Sequence, residues 1–362
     1  MLTKTRIVRP IALFALGFAT IATALHLAVG PTLALHADMR SEKLRLLADS
    51  RGHATSAAFG SSHIHYGFDP RAFDAALATT PQATHTINLA VAGGSQSEQR
   101  ALALAFVHQL AAAPKPQPTT LILLELTAGA NFTREHLVHP RAIDLYDWPT
   151  TRFVLHLTSP KMSLAQRTGR TAFALIAFTL HSANVGMLSS RLFPAPLDTN
   201  QLTAETIADR RGLLVEERRP GVLDQLRDLE QRMPPHPTIT RGELLPGNRD
   251  LAEELIQADP SRSIEPVYII LPKISDLAHE TIYSDSLPTS EGPIPILNLA
   301  RPDLYPQLYA PELWLDDAHL AEPGARLAST LLAQSLISWQ ATHANPQAAS
   351  PQAARSPEAG KP

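Results

Sequence analysis

Five short apolar runs that do not alternate with polar residues constrain this chain more than any other feature. Residues 57–59 lead into Gly60-Ser61-Ser62, 86–89 into Ala92-Gly93-Gly94, and 119–126 into Gly129-Ala130-Asn131; 266–271 and 294–299 follow much later. Such runs, rich in Val, Ile and Leu, fit strands buried on both faces of a parallel sheet. Helical patterns lie between them. Ser95-Gln96-Ser97-Glu98 is a capping box opening a helix with Leu102, Phe106 and Leu110 on its apolar face. Residues 322–343 form a last helix, with Leu327, Leu331, Leu332 and Leu336 at helical spacing. Alternating strands and helices predict a doubly wound α/β fold.

Two regions break this rhythm. Residues 136–262 read as a helical insertion that covers the site or faces a membrane; it holds an apolar helix at 171–188 and a charged segment at 205–233. A second membrane pass at 171–188 would put the last strands on the opposite side from the first three, which argues against it. At the N-terminus, Lys4, Arg6 and Arg9 precede an apolar stretch whose uncharged part, 11–29, is long enough for a ~30 Å hydrocarbon core. The basic flank stays in the cytoplasm, which places the domain outside, on the periplasmic side of an inner membrane. Cleavage after Ala22-Thr23-Ala24 is the alternative, and it exports the domain equally. The expected organisation is an anchor at 1–36, a linker or short juxtamembrane helix at 37–53, a catalytic domain at 54–342 and a disordered Pro/Ala/Ser/Gln-rich tail at 343–362.

The chain has no cysteine, which excludes disulfides, thiolate metal sites and a cysteine nucleophile. A net charge of −3 with scattered Lys and Arg gives no nucleic-acid footprint. Ligands of an open parallel sheet bind at the carboxyl ends of its strands, where Ser62, Gly93, Asn131, Asp316 and His319 all fall. A serine hydroxyl needs a neighbouring base to become a nucleophile. His319 fits that role, with Asp316 three residues earlier to orient the imidazole; Asp317 is the less favoured alternative. The backbone N–H groups of Ser62 and Gly93 and the Asn131 amide are the expected donors to a tetrahedral oxyanion.

These motifs resemble the SGNH/GDSL hydrolases. Phe59-Gly60-Ser61-Ser62 looks like the first block in the Gly-Ser-Ser form of membrane-anchored members. Asn88-Leu89-Ala90-Val91-Ala92-Gly93 is similar to the second block, and Asp316-Asp317-Ala318-His319-Leu320 with Gly324-Ala325 to the closing Asp-x-x-His block. The resemblance covers about 54–135 and 264–340. It implies a flavodoxin-like three-layer sandwich, Ser62 as nucleophile, Asp316 and His319 as its partners, and Gly93 as oxyanion donor. It also implies an acylated envelope glycan as substrate. The third block departs, because Gly129-Ala130-Asn131 is followed by Phe132 instead of Asp, and the first block carries Ser62-His63-Ile64 in place of Asp-Ser-Leu.

Other readings are weaker. Gly93-Gly94-Ser95 lacks a lysine at phosphate-loop spacing. His63, His65 and Asp69 invite a metal, but alternate residues of a strand face opposite ways, so neither metal nor cofactor is expected. His63 is instead assigned to the substrate pocket, and Trp148 and Trp314 are read as core residues ahead of sugar platforms. The expected function is a membrane-anchored serine esterase or O-acyltransferase. The alternatives are a non-catalytic glycan-binding scaffold within an envelope assembly, and an exported lipase or thioesterase.

Overall fold

The structure, a computed structural model, describes residues 13–14, 16–18, 20–21, 24, 39–80, 83–112, 120–126, 140–183, 209–234, 236–259 and 263–343. In chain order the elements are α1 (Met39–Asp49), β1 (Ser56–Phe59), α2 (Ser62–Gly67), α3 (Pro70–Leu77), β2 (Thr86–Asn88), α4 (Gln96–Ala111) and β3 (Thr120–Glu125). Then come α5 (Pro140–Ile143), α6 (Trp148–His156), α7 (Leu164–Ser182), α8 (Val222–Gln231), β4 (Thr238–Arg241) and α9 (Pro246–Ala258). The chain continues through β5 (Ile264–Ile270), β6 (His279–Ile282), β7 (Ser286–Thr289), β8 (Gly292–Asn298) and α10 (Glu322–His343).

The main sheet runs in the order β2-β1-β3-β5-β8-β7. All neighbours are parallel except the β7–β8 hairpin. This mixed α/β architecture is compatible with a flavodoxin-like fold, in which the winding direction reverses between β1 and β3. The five runs form β1, β2, β3, β5 and β8, and they lack alternation because both faces of the sheet are covered. In β3, Ile122 and Leu124 point to one face and Leu121 and Leu123 to the other. The first face packs on Leu102 and Phe106 of α4, Phe153 of α6, Leu251 of α9 and Leu46 of α1. The second packs on Phe73 and Leu77 of α3 and on Leu332 and Leu336 of α10. The capping box at Ser95 and Glu98 forms as its spacing predicts.

The insertion is not wholly helical. It carries β4, which pairs in parallel with β6 to make a second, two-stranded sheet. Residues 39–49 form a helix whose Arg40, Lys43, Leu46 and Leu47 are buried. Trp314 is fully buried, but Trp148 is 54% exposed, so it is not the core residue expected of it. Among the described residues no helix is long and apolar enough to cross a membrane, α7 included. Most of the 11–29 run and the tail from 344 lie outside the described residues.

Candidate active site

The carboxyl edge of the sheet gathers groups from three separate chain segments. β1 ends at Phe59, and after Gly60 the Ser61 side chain caps α2 by accepting from the His63 N–H. Ser62 is therefore the first residue of a helix beginning just beyond the strand. On the far side of the sheet's connectivity, residues 311–321 form a tight loop closed by the Trp314–Leu320 bridge. The Ala321 N–H donates to Leu313 O and the Leu315 N–H to His319 O, each at 2.8 Å. Within that loop Asp316 Oδ1 accepts the N–H groups of Ala318 and His319, both at 2.8 Å. The buried Trp314 indole donates to Leu308 O at 3.0 Å and fixes the loop to the core.

This scaffolding brings Ser62, His319 and Asp316 together. Ser62 Oγ lies 2.8 Å from His319 Nε2 although the two residues are 257 apart in sequence. His319 Nδ1 lies 3.0 Å and 2.9 Å from the two carboxylate oxygens of Asp316. Asp316 rather than the exposed Asp317 faces the imidazole. Burial pushes the Asp316 carboxyl up, but hydrogen bonds from His319 and from the Ala318 N–H outweigh it and hold it below the usual value. A carboxylate held ionised at Nδ1 keeps the proton there and leaves Nε2 able to accept the Ser62 proton.

Gly93 sits in the turn between β2 and α4 with φ +64°. It lies on the same sheet edge, because the Val91 N–H beyond β2 donates to Gly60 O beyond β1 at 3.0 Å. The Ser62 N–H stands in the first turn of α2, where a helix offers its own amides no acceptor. Asn131 lies outside the described residues.

His63 and His65 lie on a helix, not on a strand, so the alternation invoked against a metal does not apply to them. Two positions apart on a helix they still point apart. His65 is fully buried and held neutral by burial, with Lys43 nearby. His63 stays at the site, its ring stacked on that of His319 with centroids 5.4 Å apart. The Tyr66 ring is also packed against that of His319, tilted, with centroids 5.1 Å apart.

Sequence reasoning missed Glu125, the last residue of β3. Its Oε2 accepts the Ser61 N–H at 2.5 Å, and its Oε1 accepts the Ser61 hydroxyl at 3.0 Å and lies 3.3 Å from His63 Nδ1. Burial raises this carboxyl, yet the bonds from His63 and Ser61 bring it below its ordinary value. Gly60 makes room for it: a Cβ there would lie 2.5 Å from Glu125 Oε2. The available signal was a carboxylate ending the most apolar strand of a parallel sheet, next to the loop that carries Ser62.

A second missed feature is the segment 209–218, which straps the site. Arg211 O accepts the Asn88 N–H at 2.7 Å, and the Leu214 N–H donates to His65 O at 3.2 Å. Tyr66 donates to Glu216 at 2.8 Å, and Arg218 donates to Trp314 O at 2.7 Å. The strap thus runs from the end of β2, past α2, to the loop that holds His319. A cavity of about 910 Å³ lies elsewhere, at the amino ends of β5 and β8, lined by Ile264, Glu265, Gly292 and Trp339 among others. Because these strands run parallel to β1, that cavity sits at the opposite edge from Ser62. The close approach of Ser62 to His319 therefore lies away from that hollow.

No family model matches the chain, and no match to it is found among curated proteins or solved structures.

Proposed function

We propose that this chain is an SGNH-type serine esterase or O-acyltransferase that works through an acyl-enzyme. The observation that carries the reading is the 2.8 Å approach of Ser62 Oγ to His319 Nε2, with Asp316 on the other ring nitrogen. Ser62 Oγ attacks the carbonyl carbon of an ester while its proton passes to His319 Nε2. The imidazolium, stabilised by Asp316, returns that proton to the departing alkoxide oxygen as the carbon–oxygen bond breaks. Water or a sugar hydroxyl then gives its proton to His319 and attacks the acyl-serine, and Ser62 regains its proton. The Ser62 and Gly93 amides are the donors to the tetrahedral oxyanion, with the Asn131 amide as a third. Each donor lowers the barrier by about 2.7–4 kcal/mol where such groups have been removed one at a time.

The substrate in this reading is an acyl group on an exported or cell-surface glycan, and the domain is tethered outside the cytoplasm by the apolar 11–29 run. The test is turnover of p-nitrophenyl acetate and of O-acetylated xylan oligomers by the full chain. Wild type is expected to release acetate or transfer it, and Ser62→Ala to lose roughly 10⁴–10⁶-fold in kcat. Equal rates in the two proteins would contradict the proposal.

A further inference from the structure

α7 is built inside out. Its small residues Ala174 and Ala177 are fully buried against the domain, while Leu164 is 78% exposed, Phe173 41%, Leu175 43% and Ile176 51%. A surface helix ordinarily turns its large apolar side chains inward and its charges outward. Arg167 near the start of the helix is exposed, but the exposed positions after it, Thr168, Ala172, Leu175, Ile176 and Thr179 among them, carry no charge. Trp148 of α6 stands beside this face, 54% exposed, with its ring edge-on to Phe178 at 5.7 Å. A water-facing helix with no exposed charge beyond its first turns leaves apolar area that a partner would cover.

The charge pattern names the partner. From 148 to 197 the chain contains no Asp or Glu, although it has 34 of them overall, and the cations Arg152, Lys161, Arg167 and Arg170 lie on α6, α7 and the turn between. Arg152, Lys161 and Arg167 are exposed, and Lys161 reaches Glu243 only at 3.9 Å. An uncharged apolar face with an exposed aromatic and a cationic fringe suits the headgroup–acyl boundary of an anionic bilayer. α7 is too short of apolar residues to cross, so lying flat is the arrangement open to it. We infer that the α7 face, with Trp148, rests on an anionic membrane surface. The N-terminal tether proposed above holds the domain near that surface; the inference rests on that attachment and is independent of the ester chemistry.

The absence of cysteine allows a clean test. The full chain carries one environment-sensitive fluorophore at Ile176→Cys or, as a control, at Ser338→Cys on the exposed side of α10. Each is reconstituted into phosphatidylcholine–phosphatidylglycerol vesicles containing acyl chains with nitroxide labels, and thermal melting confirms that both variants are folded. The label at 176 is expected to be quenched severalfold by the nitroxides and shielded from aqueous iodide, and the label at 338 to behave oppositely. Arg167→Gln is expected to shift the docked-to-undocked ratio roughly fivefold in anionic vesicles and little in pure phosphatidylcholine. Three results would overturn the inference in protein that floats with vesicles: iodide access at 176 equal to that at 338, shielding that grows with protein concentration, or shielding without nitroxide quenching. The second would point to another copy of the chain, and the third to a segment of the same chain. Failure to float with vesicles would remove the tether and the docked face together, leaving the ester reading to its own test.

Discussion

Glu125 shows how much a single buried group can organise. Its carboxylate takes the Ser61 N–H and hydroxyl and the His63 ring, so the entry into α2, and with it the aim of Ser62, depends on a side chain from another strand. Glu125→Gln keeps the shape but turns one acceptor into a donor facing the Ser61 hydroxyl. Stability should fall by about 1–3 kcal/mol, the cost of an unmatched buried hydrogen-bonding group. Ester turnover should fall in kcat more than in KM. The pH dependence has a definite sign. The folded value of Glu125 lies below its ordinary 4.5, so its contribution is present above 4.5 and is lost as pH falls through the depressed folded value. Denaturant titrations of wild type and Glu125→Gln should therefore differ most at neutral pH and converge in acid. A constant gap across that range would contradict this account. The sequence showed Asp316 and His319 because three-residue spacing is local. It could not show Glu125, whose partners lie 64 and 62 residues away, nor choose the helical form of 62–67 that sets His63 and His65 apart.

At the scale of elements, α1 is more than a connection to the N-terminal segment. Lys43 is fully buried, and its Nζ donates to Asn88 O at 2.8 Å and to Gly212 O at 2.6 Å. One side chain thereby ties α1 to the end of β2 and to the 209–218 strap. Burial lowers the Lys43 value well below 10.5, so between the folded value and 10.5 the unfolded chain binds the extra proton and stability rises with pH. Lys43→Met should abolish that rise, read as melting temperature from neutral pH towards pH 10. A parallel rise in both proteins would show that Lys43 is not its source. The strands β1, β2, β3, β5 and β8 were legible because burial on both faces leaves an unbroken apolar run. β4 was not, since all four of its residues are exposed and Ile239 alone among polar neighbours makes no apolar run. α1 read as a linker or short juxtamembrane helix because its buried groups include Arg40 and Lys43, whose partners come from distant segments. Trp148 misled for the opposite reason, being a large aromatic that the fold turns outward.

Across the whole molecule, the doubly wound sheet brings the end of β1 and the loop before α10 to one edge; the strap spans the two sides, and Glu125 fixes the first of them. That convergence was readable from where the small and polar residues fall after each apolar run; the distances were not, since they depend on contacts between segments more than 200 residues apart. The central claim is that Ser62 is a nucleophile activated by His319. The direct measurement is intact-mass and peptide mapping of the full chain after exposure to a fluorophosphonate. The account predicts one adduct, on Ser62, that forms rapidly in wild type, is absent in Ser62→Ala, and slows by orders of magnitude in His319→Gln. An unlabelled wild type, or an adduct that persists in Ser62→Ala, would contradict it.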